Sequence, residues 1–277
     1  MRPNTIRQAL NEGRPTLGTH LFSQWPTIVE IVGHTGMFDY VEFSGEYAPY
    51  DLFSLDNFCR AAELHGLSSM MKLDQEPKRY LAERAIGAGF QSVLFADIRT
   101  VEDVEEAVRA VRSDSPQGGG VFGAVDRRAM LMATAGTPHY IQALDDIVVA
   151  IMIEKASTVE NIDEILAVPG VDMVQWGPAD YSMSIGRPGE WNHPDIKKVE
   201  RYVFEKCLAA GIPPRLELNR PEDAKPFLEM GVRHFCMNAD IYILHDWFKQ
   251  NGKALRDIVE GVDSAPVAAA GYRGTPA

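Results

Sequence analysis

The stretch from Val148 to Asp180 restricts the fold more than any other part of the chain. An apolar, β-branched run (Val148 to Ile153) stops at Glu154, and an amphipathic helical pattern follows. A second apolar run (Val171 to Trp176) then stops at Gly177-Pro178-Ala179-Asp180. That pattern is strand, helix, strand. Two parallel strands joined by a crossover helix leave both C-terminal ends on the same edge of the sheet. Glu154 and Asp180 are therefore expected to face one another there. Barrels and open α/β sheets collect their ligand groups at that edge, and two hard oxygen donors suit a divalent cation such as Mg²⁺ or Mn²⁺. The alternative is that each carboxylate only caps the helix that follows it.

The rest of the chain repeats the same alternation. A short helix from Thr5 to Gly13 precedes a strand at Thr16 to Phe22. Further strands are expected at Phe38 to Phe43, Ser68 to Leu73, Ser92 to Ala96, Pro214 to Leu218 and Val232 to Met237, with helical patterns between them. Thr100 to Val111 is the cleanest amphipathic helix, with Thr100 as its N-cap and Glu102 and Asp103 in its first turn. A long segment, Ser113 to Thr137, interrupts the rhythm with Gly118-Gly119-Gly120 and Arg127-Arg128. Eight strands alternating with helices, without a break in composition, predict a single (β/α)8 TIM barrel over 1–262 in preference to a doubly wound sheet. Residues 263–277 read as a loose tail.

Charge and cysteine content exclude several classes. A formal charge of −12 argues against a nucleic-acid partner, which needs a basic face. Three widely spaced cysteines, Cys59, Cys207 and Cys236, give neither a disulfide framework nor a thiolate metal site. With no signal core and no run of the roughly 20 apolar residues that span a bilayer, the expectation is a cytoplasmic protein with no membrane partner.

The spacing from Glu154 to Asp180, the segment IEKASTVENIDEILAVPGVDMVQWGPADYS, the N-terminal ALNEGRPTLGTHL, the FSGEYAP loop, AIGAGFQSVLFADI and the C-terminal FLEMGVRHFCMNAD together resemble the HpcH/HpaI family of metal-dependent aldolases. The resemblance covers most of residues 5 to 245. It implies that Glu154 and Asp180 bind Mg²⁺, Mn²⁺ or Co²⁺, and that a 2-oxo acid chelates the metal. Lys72 and the backbone around Gly177, Pro178, Ala179 and Asp180 would hold the acid's carboxylate. The chemistry it implies is cleavage or formation of a 4-hydroxy-2-oxo acid through a pyruvate-like enolate, whose charge a divalent ion stabilises. It also implies a homo-oligomer, a hexamer built as a trimer of dimers, in which C-terminal helices bearing Trp247 and Phe248 are exchanged between protomers. The alternative for these two rings is packing on their own barrel.

The chain departs from the family pattern around this site. Where the family carries Asp-Gly-Glu-His, the loop here reads Ser44-Gly45-Glu46-Tyr47, so the usual histidine–aspartate base is missing. The family arginine of strand three appears as Lys72, which keeps the charge and loses the bidentate fork. A glutamine two positions before the metal glutamate is Met152, and the arginine of the Gly-rich loop has no match in Gly118 to Gly123. Candidates for proton handling are Tyr47, Glu46, His20 and metal-bound water, while Lys72 is also weighed as a Schiff-base amine. Arg127 and Arg128 are candidates for the lost anion binding, and Trp176 for narrowing the mouth. Two other functions fit: decarboxylation of an oxaloacetate-like acid, which needs no base for an aldol hydroxyl, and an altered barrel that only binds a metal–acid complex. A CoA-ester lyase is weaker, because no basic groove for the CoA phosphates is visible.

Overall fold

A computed structural model describes residues 3–261; the expected tail at 263–277 lies outside them. Eight parallel strands close a barrel in the order of the chain: β1 (Thr16–Leu21), β2 (Tyr40–Ser44), β3 (Ser68–Leu73), β4 (Ser92–Phe95), β5 (Val148–Ile153), β6 (Met173–Trp176), β7 (Pro214–Leu218) and β8 (His234–Ala239). The helices are α1 (Thr5–Glu12), α2 (Pro26–His34), α3 (Leu52–Leu64), α4 (Lys78–Ala88), α5 (Val101–Val111), α6 (Arg127–Leu131), α7 (Pro138–Asp145), α8 (Ala156–Glu160), α9 (Ile162–Leu166), α10 (Pro178–Ser184), α11 (Pro194–Ala209), α12 (Lys225–Met230) and α13 (Asp240–Glu260). This is the single (β/α)8 barrel that the alternation predicts. The β5–β6 crossover differs in one respect, being broken at Asn161 into α8 and α9. The long segment before β5 is not all loop either. It contains α6, capped by Asp126, whose carboxylate accepts from the Ala129 amide at 2.6 Å.

Alternation along the strands sorts their side chains into two layers. Val41, Phe43, Val93, Val149, Ile151, Val174 and Trp176 face outward and pack under the helices. Tyr40, Met70, Leu94, Val148, Ala150, Met152 and Met173 face the lumen. Ile6 and Leu10 of α1 close the lumen from below. Helix α1 is pinned there because the Asn4 amide donates to the Gln91 and Asp146 carbonyls at 2.7 and 3.0 Å, and Arg7 pairs with Asp172 at 2.6 Å. Gly18 has a steric reason: a Cβ at this position would lie 2.2 Å from the Tyr40 ring, so only glycine lets that ring fill the lumen.

Along α13, Ile243, Leu244, Trp247, Phe248, Leu255, Ile258 and Val259 are exposed. Trp247 and Phe248 meet edge to face at 5.4 Å on the outside of the barrel, so neither ring is buried against its own core. Among the described residues, no helix is long and apolar enough to cross a membrane.

Candidate active site

A cavity of about 190 Å³ opens at the C-terminal ends of the strands, lined by His20, Phe22, Ser44, Tyr47, Lys72, Met152, Glu154, Gly177, Ala179, Asp180, Trp191, Glu217, Asn219 and Asn238, among others. The strand–helix–strand motif supplies one side of it. Glu154 follows β5 and is buried, and its Oε1 accepts from the Asp97 backbone amide at 2.7 Å. Burial raises its pKa to about 7; the nearby Asp180 carboxylate adds to the rise, while Lys72 and the Asp97 amide act against it. Gly177 packs so tightly on this carboxylate that a Cβ would lie 2.4 Å from Glu154 Oε2. Asp180 stands in the first turn of α10 and pairs with Lys155 at 2.8 Å. The same lysine also bonds Asp97.

These donors fit a divalent cation on chemical grounds. Glu154 and Asp180 are hard oxygen ligands at one cavity wall. Burial and the neighbouring Asp180 carboxylate both push the Glu154 pKa up, the direction that a cation held between the two carboxylates would reverse.

On the neighbouring wall, Lys72 of β3 pairs with Glu46 at 2.6 Å and donates to the Tyr47 hydroxyl at 2.6 Å. Burial would lower the Lys72 pKa, but Tyr47, Glu46 and Glu154 outweigh it and hold the ammonium well above its ordinary range. A Schiff-base amine needs the opposite shift, so that reading of Lys72 is corrected. The Tyr47 hydroxyl is also pushed up, because burial outweighs the lysine. Tyr47 therefore stands as a neutral phenol and a donor, in keeping with a phenol being a poor base at neutral pH.

Three expected contributors lie elsewhere. Arg127 caps no part of this cavity: it pairs with Asp56 at 2.5 Å and lines a separate hollow of about 530 Å³ on the outer helical layer, beside α3 and α4. Arg128 pairs with Glu63 and donates to the Ala88 carbonyl at 3.2 Å. Trp176 points outward from β6 and packs on Tyr181, with ring centroids 4.9 Å apart. The alternation that sends Gln175 and Gly177 inward sends Trp176 out; Trp191 lines the mouth instead. Pro178 is buried as the first residue of α10, and Ala179 and Asp180 line the cavity beside it.

Of the third wall, the sequence pointed only to His20. His20 of β1 lies 3.1 Å from Glu42 of β2 through Nδ1, and 3.2 Å from Glu217 of β7 through Nε2. Glu42 is paired with Arg215, and both are fully buried. Arg215 also donates from Nε to the Tyr40 hydroxyl at 2.7 Å and from Nη1 to Gln175, whose amide donates to Glu217. His20, Glu42 and Cys236 offer donor atoms within 4.8 Å of one another, but Arg215 already supplies the cation there, so this trio does not read as a second metal site. A signal for this wall exists in the sequence. Strands covered on both faces read as near-continuous apolar runs, and YVEFS and PRLEL place Glu42, Arg215 and Glu217 at alternate positions on one face.

With the geometry in view, the chain matches the HpcH/HpaI aldolase/citrate lyase family over residues 17–233. A 5-keto-4-deoxy-D-glucarate aldolase of Enterobacter sp. (strain 638) is 30% identical over 241 residues, covering 86% of this chain and 91% of its own. One from Shigella boydii serotype 18 is 28% identical over 240 residues, with the same coverage of 86% and 91%. Among solved structures, an HpcH/HpaI aldolase/citrate lyase family protein from Burkholderia cenocepacia J2315 superposes with a TM-score of 0.81 at 28% identity, covering 92% of this chain and 100% of that one.

Proposed function

This chain belongs to the HpcH/HpaI aldolase/citrate lyase family, and we propose that it is the carbon–carbon lyase of a 4-hydroxy-2-oxo acid, releasing a pyruvate-like acid and an aldehyde. The observation that carries this reading is the cavity wall where buried Glu154 and Asp180 stand beside the Lys72 ammonium. Glu154 and Asp180 would hold a divalent cation, Mg²⁺, Mn²⁺ or Co²⁺. Bound there, such a cation supplies Lewis-acid stabilisation of the charge that develops on the keto oxygen. Lys72, fixed by Glu46 and Tyr47, and the amides of Ala179 and Asp180 orient the substrate carboxylate. Tyr47, neutral and bonded to Lys72, offers a donor at the same wall. A cavity of about 190 Å³ matches a small acid.

The curated relatives carry the name of a hydroxylated keto-acid aldolase, and a polyhydroxy 2-oxo acid is the substrate class this reading favours. Decarboxylation of an oxaloacetate-like acid is the second reading. It is favoured by one observation: the β2 loop presents a phenol with a raised pKa in place of a base. The exposed apolar face of α13 supports a homo-oligomer, as in a trimer of dimers, and the three buried, unbridged cysteines support a reducing, cytoplasmic setting.

Proton exchange at C3 of pyruvate in deuterium oxide, followed by NMR with Mn²⁺ or Mg²⁺, tests the reading. Exchange that needs both the metal and Glu154 is expected. Its absence in a protein that demonstrably binds the metal would remove it. Product analysis then separates the lyase, which yields an aldehyde, from the decarboxylase, which yields carbon dioxide.

A further inference from the structure

On the β1–β2–β7 side the lumen is charged, where barrel interiors are ordinarily filled by branched aliphatic residues. The groups form a closed ring: Arg215 to Glu42, Glu42 to His20, His20 to Glu217, Glu217 to Gln175, and Gln175 back to Arg215. Burying these charges costs desolvation that apolar side chains would avoid. The ring is anchored below by Tyr40, whose hydroxyl accepts from Arg215 and donates to the Phe235 carbonyl at 3.1 Å. Only its upper members, His20 and Glu217, reach the cavity that holds Glu154, Asp180 and Lys72.

Between those two, Glu217 is the more open to the cavity. Its side chain retains 21% exposure against 12% for His20, and the His20 Nε2 atom is itself covered. Glu217 is itself held in place by His20 and by the Gln175 amide, and the carboxylates and phenol on the other walls face a lysine ammonium. Glu46 and Tyr47 are bound to Lys72, and Asp180 to Lys155.

We infer that Glu217 accepts the proton of the substrate's 4-hydroxyl during cleavage, with His20 as the positioning residue that orients and charge-balances it. This rests on the lyase reading above. In the step, the hydroxyl O–H bond breaks and its proton passes to the Glu217 carboxylate. The C3–C4 bond breaks with its electron pair leaving on the three-carbon fragment, and C4 becomes the aldehyde carbon. C3 then takes a proton from solvent, and Glu217 returns its own to solvent. Condensation runs the same transfers backwards. Asn219, Asn238 and Trp191 line the same side and present neutral hydrogen-bonding groups, which suit an aldehyde fragment carrying hydroxyls.

The surroundings of His20 support its role. From β2 it is faced by Glu42 and Ser44, from β8 by Cys236 and from β7 by Glu217, while Arg215 meets Glu42 as its ion-pair partner. Asp240 at the start of α13 is occupied by the Phe22 and Ser23 amides. Burial alone would lower the imidazole pKa, but Cys236, Glu42 and Glu217 together raise it well above 6.5. The carboxylates around it thus favour the protonated imidazole.

The test uses the full-length protein with Mn²⁺, 4-hydroxy-2-oxopentanoate as the cleavage probe, and pyruvate C3 exchange as a second readout that does not involve the 4-hydroxyl. Glu217→Gln is expected to lower probe cleavage by roughly 10²-fold or more while exchange stays near the parent level. Cleavage by Glu217→Gln at the parent rate would overturn the inference, as would a parent that exchanges pyruvate yet never cleaves the probe. A parent that fails to exchange pyruvate would defeat the lyase reading itself, so the two failures are distinguishable. For His20, cleavage by the parent should decline as pH rises through the raised imidazole pKa, and His20→Gln should lack that limb. Superimposable profiles would remove His20 from the role. NMR of labelled histidine in the substrate-free protein provides a check independent of turnover: Glu217→Gln should lower the His20 pKa, and an unchanged value would break the pairing on which the inference stands.

Discussion

On the β5–β6 side of the mouth, the chemical groups come from neighbouring strands: Glu154 and Asp180 are 26 positions apart in the chain (180 − 154) and need only one crossover to meet. On the β1–β2–β7 side, His20 and Glu217 are 197 positions apart (217 − 20) and meet only because β8 closes the barrel against β1. The first side sits above an apolar lumen of Leu94, Ala150, Met152 and Met173, the second above a buried ion pair. A local motif therefore brings the two carboxylates together, with Asp97 after β4 as the neighbour that holds Glu154 and Lys155. The charged wall depends on the whole barrel, and the two should respond differently to perturbation.

The largest effect is expected on the local side. Glu154→Ala removes one of two carboxylates that would hold the cation, and Lewis-acid stabilisation of several kcal/mol corresponds to roughly 10³-fold in rate. Cleavage should fall by about that factor, and the rise in melting temperature on adding Mn²⁺ should vanish. That thermal rise should also depend on pH in the parent. The Glu154 pKa is raised, so in the metal-free protein its protonated form is favoured, and stability present below the unfolded value is lost as pH rises through about 7. A cation bound to the carboxylate offsets the loss, so the thermal shift should grow as pH climbs past that point. A shift independent of pH, or one retained in Glu154→Ala, would separate Glu154 from metal binding.

The charged side should fail through stability. Arg215→Met leaves Glu42 buried without its guanidinium, a change that costs about 3–5 kcal/mol when one partner of a buried pair is removed. Urea unfolding should show it, and adding Glu42→Leu should recover much of the loss. If the double variant were no more stable than the single one, the ion pair would not be the source of the cost. His20 adds a pH term of the same sign as Glu154. With its folded pKa raised, its contribution is complete below the unfolded value and is lost as pH rises through the folded one.

The difference between the two sides also explains how much was legible in the sequence. Period-two runs and helical patterns are local, so the strands emerged within a residue or two of their observed ends, and closure followed from counting eight of them. Glu154 and Asp180 were legible because strand ends announce themselves by Gly, Pro and acidic residues. Trp176 was misplaced because a run apolar at every position hides which residues point inward. Arg127 was misplaced because a Gly-rich segment without periodicity gives no direction, and α6 turns it onto Asp56. The partners of His20 in the charged wall were missed for a third reason: they are distant in sequence, and only the register of β1 with β2 and of β6 with β7 brings them level.

Intermediate effects belong to the wall between the two sides. Lys72→Met removes a charge-assisted contact, worth about 1.5–3 kcal/mol, so KM for the 2-oxo acid should rise by roughly 10- to 100-fold, with a smaller change in kcat. A fall in kcat alone would mean that Lys72 acts in the bond-breaking step and not in holding the carboxylate.

Tyr47 gives the smallest and most discriminating effect. Its hydroxyl accepts from Lys72 at 2.6 Å, and the Lys72 nitrogen stands 4.4 Å from the ring centroid. The phenol therefore fixes the lysine through both its oxygen and its face. Tyr47→Phe keeps the ring and the Glu46 ion pair and loses one neutral oxygen, worth about 1 kcal/mol. That predicts a several-fold rise in KM for the 2-oxo acid with kcat nearly unchanged. If the phenol instead delivered the proton, kcat would fall by roughly 10²-fold or more and KM would hardly move. The ratio of these two constants in a single variant therefore decides whether the wall between the two sides handles protons or only holds the acid.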